Sequence, residues 1–159
     1  MLAYEITKWL HLLGATVLLG TGAGIAFFML MAHRTRDPRL IQHVASTVVI
    51  ADALFTATAV VAQPVTGTLL IRHLGLSFTE FWIWASIALY ILTGLFWLPV
   101  VWMQIRLRDM AGAAAAANVS LPAAYYRLFG IWFACGFPAF FSVLAIVWLM
   151  LSKPTVSPF

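Results

Sequence analysis

Four apolar runs, parted by short polar breaks, set the rhythm of this chain. They are Trp9–Ala32, Val44–Ile71, Phe81–Met103 and Leu128–Leu151. About 20 mostly apolar residues suffice for a helix to cross a bilayer. The pattern predicts an all-α fold: a polytopic membrane protein built as one four-transmembrane-helix bundle over residues 1–159. The second run is the least uniform, because DALFTATAVVAQPVTGTLLIRH carries an acid, an amide, hydroxyls and an imidazole. At about 100° per residue, Asp52, Thr56, Gln63, Thr66 and His73 fall within about 100° of one another. They form a stripe that must face protein, water or a bound group, since an unpaired polar atom in hydrocarbon costs several kcal/mol. Pro64 adds to this by leaving the carbonyl of Val60 without its helical donor.

The first run opens on an interfacial Trp9 and then His11, above a face shared by Gly14, Ala15, Gly22 and Ala26. Small residues at such spacing are ordinary in packed membrane helices; an intramembrane imidazole is rarer and usually functional. Asp52 lies about 12 Å into the second helix at 1.5 Å per residue. A carboxyl at that depth is expected to be protonated or paired. In the third run Tyr90 and Trp97 share a face, as core or as cavity wall, and Pro99 and Gln104 precede the basic end. The stretch AGAAAAANVSLPAAYYR predicts a short separate helix or a bent extension of the third, with a new start near Ser120. Gly136 and Pro138 predict a bend in the fourth helix, before the polar tail SKPTVSPF.

With 64% hydrophobic and 9% charged residues, the chain lies far from soluble domains, which carry about 25% charged residues. Arg34, Arg36, Arg39, Arg106, Arg108 and Arg127 fall in the first and third breaks, and only Lys8, Arg72 and Lys153 at the opposite ends. Basic residues favour the cytoplasmic side, which predicts that both termini are periplasmic. The cations form no patch, so no nucleic-acid partner is expected; the lipid bilayer is. The leader MLAYEITK has no net charge and its apolar run exceeds a signal-peptide core, so the first helix is read as retained. The single Cys135 excludes an intrachain disulfide. No nucleophile–base pair or phosphate loop is present, and the glycines of GTGAG follow no strand. His33 and His43, with Met29 and Met31, match no established metal spacing and are expected to be solvated ends of a hairpin. Asn118-Val119-Ser120 fits a glycosylation sequon but falls on the expected cytoplasmic side.

His11 and His73 are predicted at the same end of the bundle, their levels about 6 Å apart at 1.5 Å per residue. Imidazole is a common axial ligand of haem iron, and no C-x-x-C-H is present for covalent attachment. The expected site has His11 and His73 as metal ligands, Gly14 and Gly22 giving room for a macrocycle, and Gln63 and Thr66 lining it. Lys8 and Arg72 would pair with propionates. Asp52 and Gln63 also mark a polar pathway.

The segments WLHLLGATVLLGTGAG, ADALFTATAVVAQPVTG, WLPVVWMQIRLRD and FPAFFSVLAIVWLM resemble a bacterial integral membrane family, domain of unknown function 2269. That resemblance implies a four-helix membrane protein. More distantly, Trp-Leu-His followed by small residues is similar to the bacterial membrane protoporphyrinogen oxidases and the copper-resistance protein D group. The similarity implies haem b at His11. The basic residues which that oxidase family carries inside the membrane are missing between His11 and His33 and in the body of the third helix, so its oxidase activity is not carried over. The resulting expectation is a haem b protein of the bacterial inner membrane, with a redox or electron-transfer role near the periplasmic face. A quinone or another redox membrane protein would be its partner, and a homo-oligomer is compatible. The alternatives are copper or proton transport along the stripe of the second helix, or a non-catalytic subunit of a larger membrane complex.

Overall fold

A computed structural model of the protein describes residues 1–154; the end of the polar tail lies outside the described residues. Four helices are long and apolar enough to cross a membrane: α1, Leu2–Thr35; α2, Pro38–Leu74; α3, Phe81–Ala117; and α4, Ala123–Ser152. In hydrocarbon each backbone polar group must be satisfied within the segment, and the α-helix does this for every interior residue.

All four helices outrun their apolar runs. The reason is visible at their ends, where polar residues cap the chain outside the hydrocarbon. Arg36 adopts a left-handed conformation (φ 57°) to stop α1, Asp37 Oδ1 accepts from the N–H of Arg39 at 2.9 Å, and Pro38 sits in the first turn of α2, where its missing donor costs nothing. Gly75 (φ 63°) closes α2, and the N–H of Leu76 reaches the carbonyl of Ile71 at 3.1 Å, the geometry of a glycine-terminated helix. Of the two forms expected for the alanine-rich stretch, it takes that of an extension of the third helix: it makes the last turns of α3, which end at left-handed Asn118, and the new start follows at Ala123. Alanine is the best helix former, and its small side chain lets α2 approach; a Cβ on Gly112 would sit 3.1 Å from Gln42 Nε2.

One interruption matters. Asp52–Thr56 form a π-helical turn in which the carbonyl of Asp52 accepts from the N–H of Ala57, five residues on. Such single turns inside α-helices often mark functional sites. The extra residue rotates everything beyond it, at about 100° per residue, so the polar stripe does not stay on one face. Asp52 turns toward Trp97 of α3, whereas Gln63 and Thr66 turn toward α1.

At the end of the bundle holding the α1–α2 and α3–α4 connections, the four helices pack tightly. Met29, Ile41, Ala45, Leu107, Ala111 and Tyr125 are nearly fully buried there. His33 belongs to this packing rather than to solvent: its ring stacks on Phe129 with centroids 3.7 Å apart, while His43 is exposed. Toward the other end the bundle opens. The later half of α2 packs on α1, and α3 packs on α4, but α2 beyond Thr56 has no extended close packing with α3 or α4.

Candidate functional site

The divergence of the two helix pairs leaves a cavity of about 840 Å³ lined by all four helices. That lies within the range of small-molecule and cofactor sites, about 300–1,000 Å³. Its mouth, at the open end, is framed by Tyr4, Lys8, Leu76, Phe78, Trp82 and Lys153; its walls are apolar. Both mouth lysines lie over aromatic rings, Lys8 over Tyr4 and Lys153 over Trp82, each at 5.7 Å.

His11 stands in the wall below Lys8, and its orientation is determined by one turn of α2. Its Nδ1 lies 2.8 Å from Thr66 Oγ1. The single hydroxyl proton of Thr66 is already directed at the carbonyl of Ala62, 2.7 Å away and four residues back. Thr66 therefore accepts from His11, Nδ1 carries the proton, and the lone pair is on Nε2. Among the described residues Nε2 has no hydrogen-bond partner. Gln63 Nε2 donates to the carbonyl of His11 at 2.8 Å. Gly67 lies against the ring, where a Cβ would sit 3.3 Å from His11 Cε1. Gly14 serves the same arrangement from α1: the amide of Gln63 occupies the space its Cβ would need.

The deep end of the cavity is different. Asp52, Thr56, Trp97, Gln104 and Trp132 line it, and Trp97 Nε1 donates to Asp52 Oδ1 at 3.4 Å. The Thr56 hydroxyl lies within reach of the Asp52 carboxyl, while Gln104 Oε1 and Trp132 Nε1 are buried without partners among the described residues. Leaving a buried polar atom unpaired costs about 1–3 kcal/mol, so two on one cavity wall are unusual.

The structure thus brings His11, Gly22, Gln63, Lys8 and Asp52 to one cavity, with Thr66 and Gly14 directly behind its wall. It does not bring Arg72 or His73 there. Both are exposed on the last turn of α2, and the His73 ring lies edge-on to Tyr4 at 6.4 Å. Lys153, not Arg72, joins Lys8 at the mouth. Tyr90 and Trp97 are cavity wall, and Trp132 joins them from α4. Among the described residues no three of His, Cys, Asp and Glu cluster as ligands for one ion. No signal in the sequence singled out Lys153 or Trp132; Gln104, an amide in an apolar run, was the one available hint.

No curated protein and no solved structure matches this chain. Its sequence does match a family over residues 5–154, nearly the whole length, and the chain belongs to that family, described as Predicted integral membrane protein (DUF2269).

Proposed function

We propose that the cavity binds haem b, with His11 as its axial ligand, in a protein of the bacterial inner membrane. The observation that carries this reading is the state of His11. Its Nδ1–H is held by Thr66, which leaves the Nε2 lone pair exposed to a largely apolar, cofactor-sized cavity. A metal-binding histidine ordinarily has its second nitrogen fixed in this way. Lys8 and Lys153 at the mouth supply the cations that propionates require, and Gly67 leaves the ring face of His11 uncrowded. A haem bound here supplies one-electron redox chemistry, tuned by its axial ligand and by burial. The protein's own part is to fix the imidazole, exclude water along the apolar walls and neutralise the carboxylates. The excess of arginine at the packed end points the mouth toward the periplasm. The transport reading has less support, because below Asp52 and Gln104 the bundle is filled by Val48, Ala45, Leu107 and Ala111.

The test is optical. Protein purified in mild detergent after haem-replete expression should show a Soret band, which His11→Ala should remove or shift while the variant stays folded by circular dichroism. His73→Ala should leave the spectrum unchanged. A colourless wild-type protein that also fails to bind added hemin would reject the proposal.

A further inference from the structure

Beyond the site at His11, we infer that the deep end of the cavity is a binding site for the ring of an isoprenoid hydroquinone. The residues there are Asp52 and Thr56 on α2, Trp97 and Gln104 on α3, and Trp132 on α4. Asp52, Thr56, Gln104 and Trp132 are 4%, 6%, 2% and 3% exposed; the Asp52 carboxyl and the Thr56 hydroxyl lie within reach of each other, while Gln104 Oε1 and Trp132 Nε1 have no protein partner. Two of these atoms, Asp52 Oδ2 and Gln104 Oε1, are oxygen acceptors; Trp132 Nε1–H is a donor; the Thr56 hydroxyl takes either role.

This set selects among ligands. An acyl or isoprenoid chain alone would leave Gln104 Oε1 and Trp132 Nε1 unpaired. A phosphate would meet the Asp52 carboxyl and no cationic side chain among the lining residues of the deep end. A fully oxidised quinone offers acceptors only, which suit Trp132 but leave Gln104 Oε1 without a donor. A ring with hydroxyls at both ends gives each oxygen a proton to donate and a lone pair to accept, matching donor and acceptors together. The site's aromatic members, Trp97 and Trp132, provide the surfaces a flat ring stacks on. A hydrophobic tail has a place as well: the apolar walls lead away from the deep end, and α2 beyond Thr56 is not closely packed on α3.

The inference does not depend on haem, and its test is arranged accordingly. Decylubiquinol, decylubiquinone and dodecanol would each be titrated anaerobically into the purified full-length protein in nanodiscs. The readouts are the thermal unfolding midpoint, which a ligand of the native state raises, and tryptophan fluorescence. Decylubiquinol is expected to bind saturably and about tenfold more tightly than decylubiquinone, the equivalent of roughly one hydrogen bond. It should bind more tightly still than dodecanol. Gln104→Leu and Thr56→Val should each weaken decylubiquinol by about tenfold, and His43→Ala, at an exposed position of the closed end, should leave it unchanged. Equal binding of decylubiquinol and dodecanol would overturn the inference by showing a purely apolar channel. So would the absence of saturable binding, or quinol affinity indifferent to both Gln104 and Thr56.

Discussion

At the scale of single residues, the chain's most informative histidine is defined by what α2 places against it. Thr66 accepts from Nδ1, Gln63 holds the backbone carbonyl, and Gly67 leaves the ring face clear. Because Thr66 fixes the tautomer, Thr66→Val should weaken haem binding by about 10–100-fold, the usual cost of losing such a partner. Thr66→Ser keeps the acceptor and should restore it; hemin titration followed at the Soret band separates the two. A Thr66→Val protein that binds hemin as tightly as wild type would remove the reason for assigning the lone pair to Nε2. Gly14→Ala should displace the Gln63 amide from the carbonyl of His11, at a cost of about 1 kcal/mol, read as a lower unfolding midpoint in detergent. His11 and Gln63 were legible in the sequence because polar groups in an apolar run have few places to go. His73 was misleading for a local reason. Its direction depends on the helical phase after Asp52–Thr56, and no residue type there announces an extra residue in the turn. Lys153 was illegible because its place at the mouth, over Trp82, is set by a contact 71 positions away in sequence.

At the scale of elements, Pro64 shows how a helix defect is repaired by its neighbour. The sequence indicated that the carbonyl of Val60 would lack a donor. The structure supplies one in the hydroxyl of Tyr90 on α3, at 2.6 Å. This bond spans α2 and α3 where their backbones are otherwise apart, so it ties the open halves of the bundle together across the cavity wall. Tyr90→Phe should cost about 1 kcal/mol, between the modest mean for interhelical hydrogen bonds in membranes and the penalty of an orphaned carbonyl. In a Pro64→Ala background residue 64 regains its N–H, and the same Tyr90→Phe change should cost close to nothing. A double-mutant cycle on unfolding in detergent measures the difference; equal costs in both backgrounds would mean that Tyr90 acts through packing alone. The existence and order of the four helices were legible because apolar runs of that length have few alternatives. Their ends were less so: the caps at Arg36, Gly75 and Asn118 lie well outside the apolar runs, and the alanine stretch by itself left open whether it extends α3 or forms a helix of its own.

At the scale of the whole molecule, the bundle is closed at one end and open at the other, and side-chain size accounts for much of the closed half. Ala32, Ala45, Ala111 and Ala114 let four helices converge there, with Tyr125, Phe129 and Trp132 filling the remaining space. Nothing in the helical period of any one segment encodes the divergence beyond; it arises from which faces meet, so the cavity became visible only in three dimensions. The arginines give this asymmetry a direction. Arg34, Arg36 and Arg39 lie around the α1–α2 corner, and Arg106, Arg108 and Arg127 on the helices entering and leaving the α3–α4 connection, all at the closed end. By the bias of basic residues toward the cytoplasm, the mouth with Lys8 and Lys153 is expected to open to the periplasm. Cysteine labelling decides this, because Cys135 is the chain's one native thiol and Cys135→Ala removes the background. In that variant Ser77→Cys, in the connection at the mouth end, should react with a membrane-impermeant maleimide in intact spheroplasts. Ser120→Cys, in the connection at the closed end, should react only once the membrane is permeabilised. The reverse pattern would turn the molecule over: the cavity would then draw on the cytoplasm, and the six arginines would face the side that basic residues ordinarily avoid.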